Sequence, residues 1–264
     1  MVEKYQLYDG KVTLEFDPQK HIYSVNGKQV FGVTSISGIL DKPGLKYWAV
    51  NQAIDFLLAN IEPGKALDEI EIKNLLENAR IAHTQTKNKA ADIGTLVHSW
   101  VSSYISAITK KETPPKRPVN KEMKNAIEGF FKWAKESKLK IIKSEQKIYH
   151  MKYRYAGTLD LEGIVDGKRT VIDIKTGGTL YPEAFLQASA YLKAREQETG
   201  KTYPGGVIIL RLSKEDKEKK IAAFEVKKDE DVDTHFKCFL YCLGIYRWQV
   251  EMRKQSIINN LNNQ

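Results

Sequence analysis

Asp160, Asp173 and Lys175 are the residues whose types and spacing could do chemistry together. Asp173 and Lys175 close the run "TVIDIKTGG" (170–178), whose Val171, Ile172 and Ile174 have the branched side chains of a strand packed on both faces. Alternation puts Asp173 and Lys175 on one face, about 7 Å apart along a strand that rises about 3.3 Å per residue. Asp160 lies upstream in "AGTLDLEG", and a turn around Asp166-Gly167 lets its strand become an antiparallel neighbour. Two carboxylates brought to one point resist joint ionisation unless a divalent cation lies between them. A lysine on the same face neutralises charge and orients a water. Two carboxylates and a lysine on a strand pair are the parts of metal-dependent phosphodiester hydrolysis. The competing reading is a pair of solvated strand-end acids.

The elements that must position these residues are legible in outline. "IIKSEQKIYH", "YRYAGTLDLEGIV" and "RTVIDIKT" read as three strands, and "GGVIILRL" with "KIAAFEVK" as another pair around the charged turn "SKEDKEKK". A helix starts near Pro182 and ends at Gly200, and a closing helix covers about 231–258. Before Lys140 the periodicity is mostly helical: 34–60 broken at "DKPG", then about 69–107 with an interruption near Asp92-Ile93-Gly94, then a helix capped by Asn120 and ending near Ser137. Short strands precede them, with turns at Asp17-Pro18 and Asn26-Gly27. The expected organisation is a 1–139 region of hairpin and helices and a 140–264 strand-rich α/β core, together one functional unit.

The chain of 264 residues carries 42 Lys and Arg against 33 Asp and Glu, a net charge of +9 that suits a polyanionic partner. The two cysteines, Cys238 and Cys242, cannot form a four-cysteine zinc or iron–sulfur site and read as reduced residues on one helix face. Neither a secretion signal nor a membrane-length apolar run is evident, so a cytoplasmic protein, or one in a host cytoplasm, is expected. No GxxxxGK[ST] phosphate loop occurs, which excludes a motor of that type.

Asp160 followed by Asp173-Ile174-Lys175 resembles the D…(D/E)XK signature of the PD-(D/E)XK nuclease superfamily. Gln187 and Tyr191 match the QxxxY motif of its RecB-like branch, and "GTLVH", ending at His98, resembles that branch's GxxxH motif. "VTSISGIL" is similar to the N-terminal segment of some phage members. Thr158 and Leu159 stand where the proline of the family name would be, as in many RecB-like members. The resemblance covers about 33–248. It implies a restriction-endonuclease-like α/β fold, with a central mixed β-sheet flanked by helices and a helical N-terminal half.

The same resemblance implies a divalent-metal-dependent DNase, an exonuclease of recombination, repair or phage DNA processing. It implies Mg²⁺ or Mn²⁺, and no iron–sulfur cluster, held by His98, Asp160, Asp173 and the Ile174 carbonyl. Lys175 would act with Asp160 and Asp173 in catalysis, while Gln187 and Tyr191 would contact nucleic acid or brace the site. Glu145, on the preceding strand, is a candidate additional acid. Tyr47, Trp48 and Tyr104 could stack on bases, though aromatics in amphipathic helices more often pack. The partner implied is DNA, single-stranded or with free ends, together with an unidentified protein partner as an option. Two alternatives stand beside this reading: an endonuclease on the same core, and a nucleic-acid-binding module without catalysis.

Overall fold

Asn26 and Gly27 both take left-handed backbone angles, as do Asp166 and Gly167, so the two expected hairpin turns form as their residue types dictate. The structure is a computed structural model that describes residues 1–215, 223–229 and 231–262. The strands are β1 (Glu3–Leu7), β2 (Val12–Asp17), β3 (Ile22–Val25), β4 (Lys28–Gly32), β5 (Lys140–His150), β6 (Tyr155–Val165), β7 (Lys168–Lys175), β8 (Val207–Leu212) and β9 (Phe224–Asp229). The helices are α1 (Val33–Ser37), α2 (Pro43–Asn60), α3 (Glu69–Lys110), α4 (Lys121–Glu136), α5 (Glu183–Thr199) and α6 (Val232–Asn262).

All of these strands join one mixed sheet in the order β1-β2-β3-β4-β6-β7-β8-β9, with β5 also paired to β6. The β4–β6 and β7–β8 pairs are parallel and the others antiparallel. Val171, Val207 and Ile209 pack in one cluster with Ala188, Tyr191 and Leu192 of α5. Ile208, Leu210 and Leu212 point to the other face and are equally buried, and α4 lies against β8 and β9. Helices therefore flank the central mixed sheet, as the resemblance implies. A strand buried on both faces reads as a continuous apolar run, which is why "VIILRL" carries no alternation.

Contacts divide the chain into two compact units, Met1–Leu40 with Val97–Gln264, and Asp41–Leu96. The second unit holds α2, which has no buried residue, and the first part of α3.

Several boundaries differ from the expected ones. α3 runs unbroken through Asp92-Ile93-Gly94. One glycine costs a helix only about 1 kcal/mol, and burial of Ile93 and Val97 offsets that. The 34–60 stretch is broken at "DKPG" as expected, between the end of α1 at Ser37 and the start of α2 at Pro43, and proline is well suited to that first helical turn. β1 was not expected at all: "EKYQL" is mostly exposed and gains its place by pairing with β2. Asn120 caps α4 by accepting the Met123 N–H at 3.0 Å, and Gly200 ends α5 in the left-handed region. The turn "SKEDKEKK" and the start of "KIAAFEVK" lie partly outside the described residues.

Candidate active site

β6 is the strand around which the site is built. β5 pairs along one edge of it from Tyr155 to Ile164. On the other edge β4 pairs only at Tyr155 and Ala156, and β7 only from Leu161 to Val165. Residues 157–160 therefore face a split between β4 and β7, and Asp160 sits where the β7 ladder stops. Beyond the last rung the Ile174 N–H donates to Asp160 Oδ2 at 2.7 Å, so a carboxylate takes the place of a backbone acceptor. Asp160 and Asp173 stand opposite one another across this end, one step past the Leu161–Ile172 pair.

Two further groups converge on Asp160. His98 comes from α3, and its Nδ1 lies 3.3 Å from Asp160 Oδ1. Glu145 lies on β5 across from Asp160, and its backbone is left-handed, with φ 49°. Glutamate rarely adopts that region, and such strain tends to mark places where a side chain is aimed for use. Nitrogen and carboxylate oxygens of His98, Glu145 and Asp160 all lie within 4.8 Å of one another, a grouping able to hold a metal ion. Asp173 is not part of that grouping; its oxygen Oδ2 faces the Lys175 ammonium at 2.8 Å.

The electrostatics are those of a crowded acidic site. Burial pushes the Asp160 carboxyl up, but the His98 ring, Lys175 and the Ile174 N–H outweigh it and hold it below the usual range. Burial lifts Asp173 to about 6, with Lys175 opposing and Asp160 reinforcing the rise. Glu145 is raised by burial and by Asp160. Burial would lower the Lys175 ammonium, yet Asp173 and Asp160 hold it above its ordinary value. His98 is likewise raised, because Asp160 overrides the effect of burial.

One buried oxygen points the same way. Asp173 Oδ2 is fully buried and is met by the Lys175 ammonium at 2.8 Å as an ion pair, without an assigned hydrogen bond. A buried carboxylate oxygen left so is costly. Three acids and an imidazole, two of the acids pushed toward their neutral forms, are a donor set that a divalent cation would relieve. The residues present fit such an ion. A mixed imidazole and carboxylate set suits Mn²⁺ well, whereas Mg²⁺ favours oxygen and water.

Gln187 and Tyr191 are buried. Gln187 Oε1 accepts from Lys175 Nζ at 3.1 Å. Tyr191 is 5 % exposed and packs over Gly157, where an added Cβ would fall 2.7 Å from its ring. Their positions suit bracing of the site. Tyr104 stacks on Trp100 at 5.5 Å with Phe131 against their edges, a packing role, while Tyr47 stands exposed in the other unit. Cys238 and Cys242 are free, four residues apart on α6. The left-handed conformation of Glu145 and a partner of Gln187, Ser37, went unread in the sequence. "VTSISGIL" was the only signal for Ser37. No helix among the described residues is long and apolar enough to cross a membrane.

No family model and no curated protein matches the sequence. Among solved structures, the chain is similar to SSO0001 at 14 % identity and a TM-score of 0.30, covering 76 % of this chain and 86 % of that one. It is similar to LHK-Exo in complex with dAMP at 10 % identity and a TM-score of 0.35, covering 83 % and 98 %. A second structure, of an alkaline exonuclease (LHK-Exo) from Laribacter hongkongensis, gives 11 % identity and a TM-score of 0.29, covering 60 % and 84 %.

Proposed function

We propose that this protein is a divalent-metal-dependent DNA nuclease that hydrolyses phosphodiester bonds as an exonuclease, in recombination, repair or phage DNA processing. One observation carries the reading: Asp160, Asp173 and Lys175 meet at the end of the β6–β7 ladder with His98 and Glu145 beside them. That meeting is what the resemblance to RecB-like PD-(D/E)XK nucleases calls for. His98, Asp160, Asp173 and Glu145 would hold Mg²⁺ or Mn²⁺, with the Ile174 carbonyl as the oxygen that the resemblance adds. When bound, the cation supplies Lewis-acid polarisation of the phosphate.

The chain's own groups do the rest. Lys175 orients the attacking water, takes part in moving its proton and stabilises charge that grows on the phosphate oxygens. Asp173 keeps that ammonium charged and in place. Gln187 and Tyr191 hold the wall behind it. In-line displacement of the 3′ oxygen leaves a 5′ phosphate on the product. A pure binding module has no use for three acids clustered where phosphates would come, since they repel the ligand.

The test uses end-labelled DNA, single- and double-stranded, as linear molecules and as circles verified free of nicks, with Mg²⁺, Mn²⁺ or EDTA. Linear DNA should disappear faster than circles, only with metal, leaving short 5′-phosphorylated products. Equal rates on circles would establish the endonuclease reading. Binding without cleavage in either metal would establish the silent module.

A further inference from the structure

Ser37 is fully buried at the end of α1, the short helix that follows β4. Its hydroxyl has one proton. The carbonyls of Val33 at 3.2 Å and Thr34 at 3.4 Å are acceptors, so the proton goes to the helix backbone. Only the oxygen lone pairs remain for Gln187 Nε2, 2.8 Å away. At the far end of the same amide, Gln187 Oε1 meets the Lys175 ammonium at 3.1 Å, and an ammonium can only donate. Both ends thus demand one orientation of the amide: NH₂ toward Ser37, carbonyl toward Lys175.

The geometry points to Ser37 as a positioning residue for Lys175, acting through the Gln187 amide. Lys175 has three protons to place. Asp173 holds it by charge at 2.8 Å and Gln187 accepts one proton at 3.1 Å, which leaves donors for substrate; the side chain is 32 % exposed. Without the Ser37 oxygen the buried Gln187 NH₂ loses its acceptor. An orphaned buried donor is costly enough that the side chain turns to find another partner, and Lys175 then loses one of its two anchors. The charge of the lysine survives, but its direction does not. This role rests on the nuclease reading of the site.

The test is a double-mutant cycle under single-turnover conditions with Mn²⁺ and linear single-stranded DNA. Ser37→Ala should lower the cleavage rate by about tenfold or more, with substrate binding nearly unchanged, the scale of one charge-assisted hydrogen bond. In a Gln187→Met background the residue facing Ser37 has neither an NH₂ to orphan nor an acceptor to bind, so Ser37→Ala should there change the rate by less than about twofold. Equal losses in both backgrounds would make Ser37 a packing residue of α1, and no loss in the wild-type background would remove it from the site; either overturns the role.

A second measurement needs no cleavage: hydrogen exchange of the Gln187 side-chain amide by NMR. Protection should be present in the wild type and gone in Ser37→Ala. If the wild type cleaves nothing, the nuclease reading falls, and this exchange still decides whether the relay exists. An unprotected amide in the wild type overturns it.

Discussion

At the scale of single residues, the sharpest expectation concerns Lys175. Its ammonium is kept charged by Asp173 and Asp160 and contacts the Gln187 carbonyl, so in the proposed nuclease it would serve as a directed charge and proton-handling group. Lys175→Ala should keep the rise in melting temperature that Mn²⁺ gives, because the donor set remains, and lose about a hundredfold or more in single-turnover cleavage. Near-normal turnover would remove it from the mechanism. His150, away from the acids, carries the pH expectation. Burial among Tyr153, Tyr155 and Phe236 pushes its ring down to about 4, and its Nδ1 accepts the Tyr153 N–H at 3.4 Å. The unfolded value is about 6.5, so between those two pH values the unfolded chain binds more protons. Stability is then intact above about 6.5 and falls with pH toward 4. Asn can imitate the Nδ1 acceptor without titrating. His150→Asn should be less stable than wild type at pH 7 yet lose less on going to pH 5. Parallel slopes in thermal melts would contradict this.

At the scale of elements, one buried carboxylate ties four of them together. Glu162 of β6 is fully buried and accepts from Arg169 of β7 at 2.7 Å, Arg195 of α5 at 3.2 Å, Gln146 of β5 at 3.2 Å and the Tyr203 hydroxyl at 3.0 Å. Glu162→Ala strands Arg195 in the interior with Glu198 as its remaining ion-pair partner among the described residues. The expected loss is about 3 kcal/mol in urea unfolding at pH 7, the lower end for breaking a buried pair because Glu198 remains. Burial pushes Glu162 up, but Arg169, Arg195 and Tyr203 outweigh it and depress the carboxyl in the folded state. Its contribution is therefore present above the unfolded value of about 4.3 and lost as pH falls through the lower folded one. The gap between variant and wild type should narrow below pH 4, and a gap constant with pH would show that the charge is immaterial.

The same elements show what the sequence could disclose. The β6–β7 pair was legible because alternation and an Asp-Gly turn are local signals, and so were the ends of α4 and α5, set by Asn120 and Gly200. The unbroken α3 was not, since tertiary burial overrode a glycine signal. Ser37 could not be read because its partner lies 150 residues away, and Glu145's backbone contradicts its residue type.

At the scale of the whole molecule, the chain carries a net charge of +9 and the acids of the site are recessed, with side-chain exposures of 16 % for Asp160 and 3 % for Asp173. Those two facts pull on the substrate differently. In the proposed nuclease the positive excess would attract any polynucleotide, and each phosphate contact made on a single strand would contribute about −0.7 to the slope of log affinity against log salt. The recess would discriminate among polynucleotides, because a phosphate would have to come in between side chains to meet Asp173. A flexible strand does so freely, whereas a duplex has to unpair or fray first, at a few kcal/mol. Single strands should therefore be cut faster than blunt duplexes of the same sequence, by about tenfold or more. Mismatches at the duplex end should restore much of the difference, since they lower the unpairing cost. Binding of both forms to Lys175→Ala should weaken steeply with salt, while the ratio of single-strand to duplex cleavage by the wild type stays nearly constant, because fraying and charge attraction are separate contributions. Equal cutting of blunt duplexes and single strands would mean that the acids are reached without unpairing, and the recess would then have no part in choosing the substrate.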